Sequence, residues 1–344
     1  MPIPRHVLGT LAVLIGLMPF ASAEQPPIGL ELVDVKKIWD KAPHNAFTDL
    51  TRFNDQWYLA FREGTSHGVA GNGDVRVIRS PDGTHWKSVA LLDYGTGWDM
   101  RDAKLNVMAD GRLMLNTAAA PLANIRSRQS LVWFSHDGTD WSDGPHKVGE
   151  HDWWLWGVRV HPSGIVYGVG YGDLGNRPVT TRLYRSRNGI DYETLVPTLT
   201  PEPTSGETAL VFRKDGSAVA LVRTAHDERS LAGVARGDYT KWTFKATKKR
   251  LGGPELIELP DGNILAATRL YLGGTRTSLC WLDLEAGQLT ELLRLPSGGD
   301  TSYPGLIWHD GLLWVSYYSS HEGRASIYLA KVRVKSADKI SPTK

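Results

Sequence analysis

The chain has 344 residues, 41% hydrophobic and 22% charged, so it can bury a large core and is neither disordered nor collagen-like. Its 39 basic and 37 acidic side chains leave a formal charge of +2, too little surplus to hold a phosphate backbone, and nucleic acid is excluded as an expected partner. A single cysteine, Cys280, excludes an internal disulfide framework and any multi-cysteine zinc or iron–sulfur centre.

At the N-terminus, Arg5 and His6 precede an apolar run over residues 7–20, and Ala21-Ser22-Ala23 is the small-residue pattern after which a signal peptidase cuts. Residues 1–23 are therefore read as a signal peptide, with the mature chain starting near Glu24. The apolar run is shorter than the roughly 20 residues that span a bilayer, and no comparable run follows. The expectation is an exported protein, periplasmic or secreted, without a membrane partner.

Short alternating apolar runs then recur to the end of the chain, separated by hairpin signals such as Asp82-Gly83, Asp110-Gly111, Asp137-Gly138, Asn188-Gly189, Asp215-Gly216, Asp261-Gly262 and Asp310-Gly311. Three of these sit in a longer motif: Ser80-Pro81-Asp82-Gly83-Thr84-His85-Trp86, Ser135-His136-Asp137-Gly138-Thr139-Asp140-Trp141, and Ser186-Arg187-Asn188-Gly189-Ile190-Asp191-Tyr192. The Asp or Asn caps a tight turn, Gly supplies positive φ, and the aromatic packs beneath. Aligned on this repeat, the chain divides into units whose inner strands begin near Phe47, Ala103, Gly157, Thr208, Glu255 and Pro304. The last unit, ending over residues 326–332, lacks an outer strand, which residues 30–35 can supply. The pattern predicts an all-β, six-bladed β-propeller over residues 24–336, followed by a tail at 337–344.

Repeat and turns together resemble the sialidase superfamily, whose six-bladed propellers carry Ser-x-Asp-x-Gly-x-x-Trp boxes; two of the boxes here are one residue shorter. The resemblance implies structural roles for Asp82 and Asp137 at the outer rim. It also implies that functional residues lie at inner-strand starts and in the loops after second strands, positions occupied here by His44, Arg62, Glu63, Arg101, Asp102, Glu207, Arg223, Arg269, Arg276 and Tyr303.

Position by position, Tyr303 in Ser302-Tyr303-Pro304-Gly305-Leu306 matches the family's nucleophilic tyrosine, and Glu207 matches the glutamate that activates it. Arg223, sixteen residues after Glu207, and Arg276, 27 residues before Tyr303, match carboxylate-binding arginines. Asp102, in Arg101-Asp102-Ala103, matches an aspartate that contacts sugar substituents, and Glu63 an acidic position of the same pocket. Arg269 joins these on the rim, and Trp156 is a candidate for stacking on a sugar face.

Two positions depart from the family. No Phe-Arg-Ile-Pro arginine occurs around residues 45–48, which leaves Arg62 to reach the same space from the next strand. The loop over residues 65–74, where the acid/base aspartate belongs, offers His67 or Asp74.

The resemblance implies an exo-glycosidase that releases a terminal acidic sugar from a glycan, using tyrosine in place of the usual second carboxylate and requiring no metal or other cofactor. Two alternatives stay open: a hydrolase or lyase for a uronic or ulosonic acid, and a glycan-binding propeller without catalysis.

Overall fold

The computed structural model describes residues 25–68, 72–124, 127–172, 179–202, 205–225 and 228–336; the signal-peptide and tail segments read from the sequence lie outside them. Six four-stranded antiparallel sheets follow one another around a ring, and no helix occurs among the described residues. This is a six-bladed β-propeller. The innermost strands are His44–Phe53, Trp98–Val107, Trp153–Val160, Ser205–Phe212, Leu251–Glu258 and Thr301–His309 for blades I to VI.

Second strands are buried on both faces and read as continuous small and apolar runs, as in Leu113–Pro121, whereas outermost strands such as Asp143–Val148 alternate between exposed and covered side chains. The ring closes through its two ends: Ile28–Trp39 pairs antiparallel with Ser326–Ser336 as the outer strand of blade VI, from Ile28 opposite Ser336 to Trp39 opposite Ile327. This clasp contains the predicted 30–35 strand and extends it at both ends.

The three serine turns are built alike. Ser80 Oγ accepts from the Gly83 amide at 2.9 Å while Asp82 Oδ1 accepts from the amides of Thr84 and His85; Ser135 with Asp137, and Ser186 with Asn188, repeat the arrangement. Gly83, Gly138 and Gly189 have φ of 72°, 75° and 76°, and a Cβ there would meet Trp314, Tyr58 and Met114, each on the second strand of the preceding blade. The turns therefore also lock blades I, II and III each onto the blade before it.

Every inner strand breaks register once against its neighbour, between 46 and 49, 101 and 104, 155 and 157, 205 and 208, 252 and 255, and 302 and 305. Within these bulges lie Phe47, Asp102, Trp156, Glu207, Gly253 and Tyr303. Four of the six, Phe47, Asp102, Gly253 and Tyr303, have positive φ, between 48° and 61°. A bulge re-aims a side chain, and here one residue per blade is turned toward the same place.

Candidate active site

The six bulge residues form a ring of contacts at one end of the central channel. The Tyr303 hydroxyl donates to Glu207 Oε1 at 2.5 Å, Arg223 Nη1 lies 2.9 Å from the same oxygen, and Glu207 Oε2 accepts from the Gly253 amide at 2.9 Å. Trp156 Nε1 donates to Asp102 Oδ2 at 3.1 Å, and Phe47 packs edge-on to the Tyr303 ring at 4.8 Å. Gly253 is small by necessity, because a Cβ there would stand 2.7 Å from the Tyr303 ring. Two residues further along their strands, buried Asp49, Lys104 and Glu255 make a second layer: Lys104 Nζ donates to Glu255 Oε2 at 3.1 Å, Arg159 pairs with Oε1, and Asp49 accepts from the Leu105 amide. This ionic layer fills the channel behind the ring.

Burial pushes the Glu207 carboxyl up, but the charge of Arg223 and the hydrogen bonds from Tyr303, Arg223 and Gly253 outweigh it and hold the group below the usual carboxylate value. Burial, and then the charge on Glu207, raise the Tyr303 phenol well above its ordinary value. Asp102 is pushed up to about 7 by burial and by Glu207. The ring thus holds one ionised carboxylate, one carboxyl poised near neutrality and one neutral phenol whose proton points at the ionised carboxylate.

A second cluster adjoins it. Asp300 Oδ2 stands 2.8 Å from both His44 Nε2 and His67 Nδ1, and Oδ1 accepts from the Tyr318 hydroxyl at 2.7 Å. Arg62 Nη1 approaches His44 Nδ1 at 3.4 Å; a guanidinium can only donate, so His44 carries its proton on Nε2 and directs it at Asp300. His67 likewise points Nδ1–H at Asp300, which leaves its Nε2 on the solvent side of a half-exposed ring. The His67 ring packs on Phe47 at 5.3 Å, so it and Tyr303 flank one aromatic side chain. The donor atoms of His44, His67 and Asp300 lie within 4.8 Å of one another, the spacing of a metal-ligand set. The guanidinium of Arg62 at 3.4 Å from His44 and of Arg269 at 3.7 Å from Asp300 disfavour a cation there, and the cluster is a hydrogen-bonded set instead.

The predicted residues divide accordingly. Tyr303, Glu207, Asp102, Arg223 and Trp156 meet in the ring, but Trp156 is 1% exposed, with Lys104 against its face at 4.7 Å, so it orients Asp102 rather than offering an open platform. Arg269 hydrogen-bonds the Thr301 carbonyl and the Tyr318 hydroxyl and lies over the Tyr303 ring at 5.6 Å. Arg101 pairs with Asp99, donates to the His67 carbonyl and lies over Phe47.

Arg62 does not open into the mouth. It is fully buried, bonded to Asp99 and to the Ser66 carbonyl, and pins the start of the loop that carries His67. Glu63 is held by Trp39 Nε1 at 2.6 Å and by Nε and Nη2 of Arg76, and Asp74 pairs across the strand from it, half-buried, with its carboxyl raised by burial and by Asp93. Arg276 grips Glu291 through Nε and Nη2 at 2.7 and 2.5 Å. No contact brings Glu63, Asp74 or Arg276 to Tyr303 among the described residues.

Phe47, Gly253, Asp300 and Tyr318 were not singled out by sequence reasoning. For the first two a signal existed, since they occupy the same place relative to their second strands as Asp102 and Tyr303. Asp300 and Tyr318 act across strands and left none.

No protein-family model and no curated protein matches this chain. Solved structures do. A protein of unknown function from Dyadobacter fermentans matches with a TM-score of 0.77 at 17% identity, over 89% of this chain and 100% of that one. Trypanosoma rangeli sialidase in complex with sialic acid matches with a TM-score of 0.68 at 12% identity, over 89% of this chain and 59% of that one, and a Hadza microbial sialidase with 0.65 at 15%, over 87% and 67%. At these identities the likeness is one of fold, and the present chain spans little more than half of the trypanosomal protein.

Proposed function

We propose that the protein is an exported exo-glycosidase of sialidase type that releases a terminal acidic sugar from a glycan. The observation that carries this reading is the Tyr303–Glu207–Arg223 arrangement, a phenol donating at 2.5 Å to a buried carboxylate that a guanidinium keeps ionised. The structural likeness to sialidase propellers supports it.

In this mechanism Arg223, on Glu207, and Arg269, over the Tyr303 ring, bind the sugar carboxylate, an anion that a carboxylate nucleophile would repel. Tyr303 Oη attacks the anomeric carbon as its proton passes to Glu207. Because burial raises the phenol and Arg223 lowers the carboxyl, that transfer is uphill in the free protein and proceeds only as the carbon–oxygen bond forms. Protonated His67, oriented by Asp300, gives the Nε2 proton to the departing oxygen, then takes one from the water that cleaves the glycosyl–tyrosine intermediate, an aryl glycoside, as the proton on Glu207 returns to Tyr303. Asp102, neutral below about pH 7, contacts a sugar hydroxyl or amide.

No arginine occurs at residues 45–48 and Arg62 is held by Asp99, so the sugar class includes uronic and ulosonic acids besides sialic acid. The paired phenol and carboxylate favour catalysis over a binding-only propeller. The test is turnover of a panel of fluorogenic acidic glycosides by the wild type and Tyr303→Phe. Loss of at least about a thousandfold in kcat is expected; wild-type turnover in the variant sinks the assignment.

A further inference from the structure

A cleft of about 780 Å³ opens between blades IV and V. Five cationic side chains line it, Arg229, Lys248, Lys249, Arg250 and Arg276, against one lining carboxylate, Glu228. Arg229 and Arg276 are paired with Glu202 and Glu291, so the charge offered to a ligand comes mainly from the consecutive Lys248-Lys249. An apolar step accompanies them: Leu272 is 87% exposed beside half-buried Tyr271.

The cleft adjoins the candidate active site through a shared wall residue. Arg250 lines it and also a smaller cavity of about 320 Å³ whose wall includes Glu207 and Arg223. The Arg250 guanidinium lies over the Tyr271 ring at 4.3 Å, and Gly252 leaves room for the Tyr271 hydroxyl, since a Cβ there would stand 2.6 Å from it. Tyr271 lines the cleft and interacts electrostatically with both Arg223 and Arg269 of the candidate site.

We infer that this cleft binds the second and third units of an anionic oligosaccharide whose terminal sugar occupies the Tyr303 site. A glycan with a carboxylate on every unit supplies anions at the sugar repeat for the basic strip and an apolar ring face for Leu272 and Tyr271, which a neutral core would leave unused. The inference rests on the glycosidase reading for which end of the chain enters the ring, and not for binding itself.

The experiment measures binding by calorimetry to Tyr303→Phe and to Tyr303→Phe carrying Lys248→Glu and Lys249→Glu. The probes are a tetramer of α-linked sialic acid, an oligogalacturonate tetramer and sialyllactose, each in low and in 300 mM salt. At least one tetramer should bind more tightly than sialyllactose, weaken in salt, and lose about five- to thirtyfold in the charge-reversed variant while sialyllactose is unaffected. Tetramers that bind no better than sialyllactose, or equally well after charge reversal, overturn the inference. Equally tight binding of an oligothymidylate tetramer also overturns it, by showing that charge alone is read. If Tyr303→Phe turns out fully active while the tetramer contrast holds, the cleft stands and the catalytic reading falls.

Discussion

Replacing Gly253 by alanine tests the ring without touching any group that reacts. The new Cβ would stand 2.7 Å from Tyr303 Cδ2, 2.8 Å from Cγ and 2.9 Å from Cε2, where ordinary contact is about 3.4 Å or more. The ring must therefore retreat by about 0.7 Å, and its retreat draws the hydroxyl off Glu207, now 2.5 Å away. Misplacing a reacting atom by about 1 Å costs on the order of a hundredfold in rate. At φ 53° the alanine also pays about 1 kcal/mol of left-handed strain, or about 2–4 °C of melting temperature in a domain this large. The assay is kcat on whichever acidic glycoside the wild type cleaves, with melting followed in parallel. A tenfold to hundredfold fall in kcat with a melting shift of only a few degrees is expected. Wild-type kcat in a folded Gly253→Ala protein would refute the claim that Tyr303 needs its place against Glu207.

Further outcomes follow from the same geometry. Asp300→Asn removes the acceptor that fixes the His67 tautomer, so kcat should fall by about 10²–10⁴ with little change in KM, and steady-state kinetics with a poor and an activated leaving group, the loss being larger for the poor one, would check it. Asp102 binds its proton in the folded state up to about pH 7 but in the unfolded state only to its ordinary value of 3.8, so the stability it confers is full below about pH 4 and declines as pH rises to 7. The decline is at most about 4 kcal/mol, so the melting temperature of Asp102→Asn should gain on the wild type between pH 5 and 8, and a constant difference would count against it. Arg223→Lys keeps the charge and loses the planar grip, with an expected loss of roughly 30- to 4000-fold in kcat/KM; Arg276→Lys, on its own Glu291, should leave turnover of a short glycoside near wild type, as parallel kinetics would show.

What was legible in the sequence is what local chemistry dictates. An Asp-Gly or Asn-Gly turn needs only its own residues, so the blades could be counted, and a final unit short of one strand pointed to the N-terminal strand that completes it. Glu207, Arg223 and Tyr303 are implied by the resemblance to the sialidase superfamily, whose functional positions the repeat locates at inner-strand starts and second-strand ends. What depends on the direction of a side chain across blades did not come through. Arg62 and Arg276 look like rim arginines in the sequence, and only the structure shows that Asp99 and Glu291 already hold them. Asp300 sits in a plain loop sequence, yet it organises two histidines contributed by the far end of the chain.

The clasp of blade VI carries a consequence for how the molecule assembles. Five blades are chains of hairpins, whose contacts are short in sequence and can form as soon as each hairpin exists. The sixth needs Ile28 to find Ser336, nearly the whole chain away, and until it does both partners present open strand edges. Loop-closure entropy grows only slowly with length, so the equilibrium cost of this last pairing is modest, but the search for it is long-range and comes late. The ring, which draws one residue from every blade, is therefore complete only when the two ends of the polypeptide have met, and the unfinished propeller is the species most exposed to edge-to-edge aggregation.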